Sequence, residues 1–111
     1  RLLPMALQEM ERHVLGSQSF IPLGAPRRLV LVVARPGPAP RGLADLAAFV
    51  SNGAQGVWLA PGTWHHPLLA LRQTSNFLVL DRDGPGDNCD EVVIASPTVI
   101  TAEALAASGG L

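Results

Sequence analysis

About six or seven short runs of strand character, each closed by glycine, proline or an Asx-rich turn, constrain this chain to a β-fold. Residues 1–14 alternate, with Leu7, Glu9, Glu11 and His13 on one side and Gln8, Met10 and Arg12 on the other. Gly16-Ser17 reads as a tight hairpin turn, and Ser19 to Leu23 as the returning strand. The run from Arg27 to Ala34, Arg-Arg-Leu-Val-Leu-Val-Val-Ala, has the signature of a strand buried on both faces. Further strands are expected over Gln55–Ala60, His65–Arg72, Asn76–Arg82 and Asp90–Ala95, with loops at Pro36–Pro40 and Asp83–Asn88. One helix is expected over Leu43–Val50, where Leu43, Leu46, Ala47 and Val50 recur at helical spacing. Asp45 lies in its first turn, and Asn52-Gly53 would stop it. Thr101–Ala107 would form a second short helix before a Ser-Gly-Gly tail. The resulting class is all-β, an antiparallel sandwich or barrel with one or two short helices. Periodicity does not separate a jelly roll from other small β-barrels.

A length of 111 residues, 48% of them apolar, suits a single domain with one core. Tyrosine is absent and only 3 Phe and 2 Trp are present, so aliphatic side chains must build that core. The 8 cationic side chains are all Arg and face 9 Asp plus Glu, with no basic run, which argues against a nucleic-acid partner. The lack of Lys rules out a lysine Schiff base or lysine general base within these residues. The single cysteine, Cys89, has no intrachain partner, and a reducing, cytoplasmic compartment is expected. The longest apolar run, Leu29–Ala34, is too short to span a bilayer, and no signal peptide is visible. The first residue is Arg, so the chain reads as one domain, 1–111, from which an N-terminal portion is missing.

Chemistry concentrates in two places. In Glu11-x-His13-x4-Gln18-x5-Gly24, residues two apart share a strand face, so a carboxylate, an imidazole and an amide can converge on one cation. Neutral imidazole and carboxylate suit a divalent transition metal, with Gln18 as a weak ligand. The alternative is a polar strand rim carrying an ordinary surface histidine. The second place is Pro61-Gly62-Thr63-Trp64-His65-His66. On a strand His65 and His66 point to opposite faces, so one enters a given pocket and the other serves as an auxiliary acid or base or as an edge histidine. Arg82, in Asp81-Arg82-Asp83, is a candidate bidentate clamp for a carboxylate or part of a solvated turn. Arg12 competes for that role, but alternation turns it away from His13. Acidic neighbours would raise the pKa of Cys89, which argues against a thiol nucleophile. No phosphate loop, G-x-S-x-G elbow or C-x-x-C pair occurs.

Taken together, Met10-Glu11-Arg12-His13, Gly16 to Leu23, Asn52-Gly53-x-Gln55-Gly56-Val57, Trp64-His65-His66-Pro67-Leu68 and Asp81-Arg82-x-Gly84-x-Gly86-Asp87-Asn88-Cys89 resemble the ureidoglycolate lyase family. The resemblance runs from about Glu9 to Asp90 and implies a cupin fold, with further N-terminal strands outside this sequence. Cupins carry His-x-His, Glu and Gly, then Gly-x-x-His. Here those places hold Glu11, His13, Gln18 and Gly24, then Gly62 and His65, so two of the four ligand positions are altered. The resemblance implies elimination of urea from ureidoglycolate to give glyoxylate, in the degradation of allantoin. A divalent metal (nickel, manganese or zinc) would be held loosely by Glu11, His13, Gln18 and His65. Glu11, His13, His65 and His66 would be catalytic, while Arg82, Gln18 and Asn88 would bind substrate. The implied protein is a cytoplasmic homodimer acting on a small molecule, with no membrane or nucleic-acid partner. The alternative is a cupin that binds a small carboxylate without catalysis or performs a different reaction on it.

Overall fold

The run Leu29–Ala34 has an apolar side chain at every position, and such a strand is stable only when both of its faces and both of its edges are covered. In the computed structural model, which describes residues 5–24, 28–70 and 76–101, it is β3 and is covered in this way. Its two edges pair antiparallel with β4 (Ala47–Val50) on one side and with β6 (Trp64–His65) and β7 (Leu69–Ala70) on the other. β6 in turn pairs with β1 (Met5–Arg12), and β1 with the long β9 (Asp90–Ile100). The six-stranded sheet therefore runs β4-β3-β6-β1-β9, with β7 on β3. A second, three-stranded sheet runs β5 (Val57–Leu59), β2 (Gln18–Pro22), β8 (Phe77–Leu80). All pairings are antiparallel, and the all-β, cupin-like class read from the sequence holds.

Register assigns the faces. Paired residues share a face, so Val30 with Leu69 and Ala34 with Trp64 point the same way from the large sheet. Leu7, Met10, Val32 and Ile94 join them in one buried cluster, against which Leu46, Val50 and Val92 pack. The opposite face carries Glu11 and His65, which are direct cross-strand partners, and Val33 opposite His65. The small sheet turns Gln18 and Phe20 toward that face, and the Phe20 ring meets His65 edge-on at 6.5 Å. The two sheets thus enclose a polar site on the side of the large sheet away from its aliphatic cluster.

Three sequence expectations are corrected. Leu43–Val50 is not a helix: Leu43–Asp45 form one 3-10 turn, and Ala47–Val50 are strand β4. An eight-residue helix is marginal by itself, whereas the same residues complete an unpaired edge of β3, from Val30↔Val50 to Val33↔Ala47. Gly16-Ser17 does not close a hairpin. The edges of β1 are already filled by β6 and β9, and those of β2 by β5 and β8, so the bend at Val14–Gly16 carries the chain from one sheet to the other. Strict alternation along β1 also fails. A register shift between Leu7 and Glu9 puts Leu7 in the Met10 cluster, so it no longer shares a side with Glu11 and His13. The helix expected over Thr101–Ala107 lies outside the described residues beyond Thr101.

Candidate functional site

Glu11 and His65 face one another because β1 and β6 pair at that register, with a carboxylate oxygen 3.3 Å from His65 Nε2. His13 follows the last residue of β1, where ladder bonds no longer hold the chain. Instead its backbone carbonyl accepts the Gly62 N–H at 2.7 Å. Gly62 has φ 82°, a left-handed conformation suited to glycine, so the glycine of Gly62-x-x-His65 fixes both histidine-bearing segments at once. The His13 and His65 rings lie 5.2 Å apart. Gln18, the first residue of β2, closes the set from the second sheet, and Leu59, Ala60, Thr63 and Gly16 complete the lining.

The proton positions follow from the acceptors. His13 Nδ1 lies 2.7 Å from the Asn88 carbonyl and His65 Nδ1 lies 3.2 Å from the Thr63 carbonyl. A carbonyl only accepts, so both Nδ1 atoms carry a hydrogen, and in the neutral rings the Nε2 lone pairs face the enclosure. His13 Nε2, His65 Nε2 and Gln18 Oε1 are buried without a hydrogen-bond partner. The Glu11 carboxylate oxygen stands 3.3 Å from His65 Nε2 without hydrogen-bond geometry. Three buried acceptors left without a partner beside a carboxylate are unfavourable, and a cation among them would satisfy them. One donor atom each from Glu11, His13 and His65 lies within 4.8 Å of the others, which is compatible with ligands about 2.0–2.2 Å from a common ion. The described residues therefore contain a group able to hold a metal ion, and its chemistry fits one.

The remaining sequence candidates fall elsewhere. His66 is buried, with Nδ1 2.8 Å from the Pro67 carbonyl, and it is not part of the Glu11–His13–His65 group. Asn88 uses its side-chain oxygen to accept the Leu15 N–H at 2.7 Å and its carbonyl to accept from His13. Arg82 is exposed and donates to the Pro85 carbonyl at 2.9 Å. It lines an open cleft of about 420 Å³ with Leu15, Gly16, Ser17, Ser19, Leu80 and Asp81. Gly16 borders both this cleft and the enclosed acceptors. Arg12 is spoken for: it pairs with Asp90 at 2.8 Å and lies 4.5 Å from the centre of the Trp64 ring. A larger cleft of about 860 Å³, between the Pro36–Pro40 loop and β4, contains none of the cluster residues. Partial desolvation, then the charges of Glu11, Glu91 and Asp90 and the contact with Glu11, push the Cys89 thiol up, as expected for an inert thiol. The sequence reading missed the carbonyls of Asn88 and Thr63, because a backbone acceptor leaves no mark in residue type.

A family model described as ureidoglycolate lyase matches residues 1–101. The chain belongs to the ureidoglycolate lyase family. It is 51% identical over 90 residues to a protein of Azotobacter vinelandii named ureidoglycolate lyase, covering 80% of this chain and 52% of that one. A protein of the same name from Burkholderia cepacia is 52% identical over 93 residues, covering 83% of this chain and 51% of its own. One from Pseudomonas syringae is 46% identical over 99 residues, covering 88% and 56%. The chain thus spans about half the length of these relatives of the family. No helix among the described residues is long and apolar enough to cross a membrane.

Proposed function

We propose that the protein is a ureidoglycolate lyase that eliminates urea from ureidoglycolate to leave glyoxylate, and that Glu11, His13, Gln18 and His65 form its reaction centre. The observation that carries this reading is the convergence of buried, unpartnered acceptors, His13 Nε2, His65 Nε2 and Gln18 Oε1, beside the Glu11 carboxylate. Family membership supplies the substrate, and the relatives' printed names agree with it. A divalent cation such as nickel, manganese or zinc, held by these four side chains, would supply Lewis-acid polarisation of the substrate's hydroxyl and carboxylate oxygens.

The reaction needs little else. Ureidoglycolate bears a hydroxyl and a ureido nitrogen on one carbon. Loss of the hydroxyl proton and protonation of the nitrogen let the carbon–nitrogen bond break as the carbonyl of glyoxylate forms. With the Nε2 lone pairs of His13 and His65 given over to the cation, the free carboxylate oxygen of Glu11 takes the hydroxyl proton and returns it to the leaving nitrogen. Arg82, in the open cleft beyond Gly16, receives the substrate carboxylate through two parallel hydrogen bonds. His66 would act only as a support for the His65 segment, since it is outside the acceptor group. Asn88 would hold His13 rather than substrate. We further propose a cytoplasmic homodimer; the free, exposed Cys89 suits a reducing compartment, and the dimer follows the family resemblance.

Incubating the full-length protein with racemic ureidoglycolate, with and without added divalent cation, tests the reading. Glyoxylate and urea should appear in equal amounts, faster with cation, and Arg82→Ala should raise KM about tenfold or more. Ammonia in place of urea, or no glyoxylate in either condition, would sink it.

A further inference from the structure

The least anchored member of the acceptor group is His13. β1 ends at Arg12, so no ladder fixes the His13 side chain, and the bend at Val14–Gly16 follows immediately. Asn88 holds this segment at two points. Its carbonyl oxygen takes the His13 Nδ1 hydrogen at 2.7 Å, and its side-chain oxygen takes the Leu15 N–H at 2.7 Å. Beside it, Arg12 and Asp90 are β1–β9 partners joined at 2.8 Å, so the two strands bring residue 88 alongside residue 13. The loop preceding Asn88, Asp83–Asp87, is exposed and contains two positive-φ glycines, Gly84 and Gly86. On the loop side of the Arg12–Asp90 anchor, the side-chain bond to Leu15 is the contact that keeps the Asn88 carbonyl over the imidazole.

We infer that Asn88 is a positioning residue: through its grip on His13 and Leu15 it fixes His13 as the tautomer whose Nε2 lone pair enters the cation group. The inference rests on the reading of that group as a cation site and adds a residue that touches neither cation nor substrate. A histidine ligand is typically held by a carboxylate, carbonyl or water on its other nitrogen, and loss of such a partner costs about 10–100-fold in metal affinity or activity. Here the partner is a main-chain carbonyl, which substitution cannot remove, but the side-chain oxygen that steadies it can be removed. An aspartate at the same place keeps an oxygen that accepts from Leu15, so Asn88→Asp preserves the grip and Asn88→Ala abolishes it.

The test uses two readouts on the full-length chain. In the cation-free protein, ring-nitrogen NMR should find neutral His13 with hydrogen on Nδ1 in wild type and Asn88→Asp, and a mixture of tautomers in Asn88→Ala. Titration with Mn2+ should then give about 10–100-fold weaker binding for Asn88→Ala and near wild-type binding for Asn88→Asp. Hydrogen on His13 Nε2 in the wild-type protein would overturn the inference without any variant. Unchanged tautomer or unchanged affinity in Asn88→Ala, or an equal loss in Asn88→Asp, would overturn it too. Wild-type protein that binds no Mn2+ would instead defeat the cation reading, and the tautomer measurement would still decide the role of Asn88.

Discussion

Gln18 is where a single side chain departs most informatively from a fully charged cation site, because its buried amide oxygen faces inward with no partner. Gln18→Glu places a second carboxylate beside Glu11. Without cation, two like charges in a half-buried site should cost about 1–3 kcal/mol, and with cation the added charge should tighten binding. Thermal melting of the variant should therefore fall below wild type in chelator and show a larger Mn2+-induced rise. A variant whose melting responds to Mn2+ no more than wild type would remove Gln18 from the group. At Cys89 the sign is equally definite. Partial desolvation and the negative charges of Glu11, Glu91 and Asp90 hold the thiolate back, so alkylation by iodoacetamide should set in above the ordinary thiol range. Glu11→Gln removes one of those charges and should shift the alkylation profile to lower pH in cation-free protein; an unmoved profile would contradict that cause. At this scale the sequence was legible for the meeting of Glu11, His13, Gln18 and His65, whose types and spacing suggested a shared enclosure. It was not legible for Asn88, whose contact to the imidazole is made by a main-chain oxygen.

Among the elements, the Val14–Gly16 bend has the narrowest tolerance. A Cβ on Gly16 would lie 2.6 Å from Arg82 Cβ and 3.1 Å from its Cδ. The nearer atom is fixed to the backbone, so Gly16→Ala must displace either the bend or the start of the loop after β8, at about 1–3 kcal/mol. Adding Arg82→Gly removes the atoms in the way, and the double variant should recover stability relative to Gly16→Ala in urea unfolding. Strictly additive losses would show that the two segments do not meet as described. The same bend explains why a hairpin was the wrong expectation. Gly-Ser between two alternating runs is a sound local signal for a turn, but pairing depends on which edges are free, and both neighbouring strands had filled theirs. Leu43–Val50 failed as a helix for a related reason: helical spacing over eight residues competes poorly with an edge of β3 that needs hydrogen bonds. β3 itself was legible because an uninterrupted apolar run permits few environments.

In the whole molecule, two sheets stand around a polar enclosure, with the aliphatic cluster on the other side of the larger sheet. The class of fold was readable from strand-length runs and turn residues. The partition into a six-stranded and a three-stranded sheet was not, since it is set by contacts between residues as distant as Glu11 and His65 or Ser19 and Leu80. The central claim is that a cation sits between those sheets. Anomalous diffraction at the manganese edge, from crystals of the full-length protein equilibrated with Mn2+, measures this directly. The account predicts one peak about 2.0–2.2 Å from His13 Nε2 and His65 Nε2, with Glu11 and Gln18 oxygens completing the group. A peak among Glu11, Cys89 and Glu91 instead, or none in crystals whose protein turns over ureidoglycolate, would contradict it.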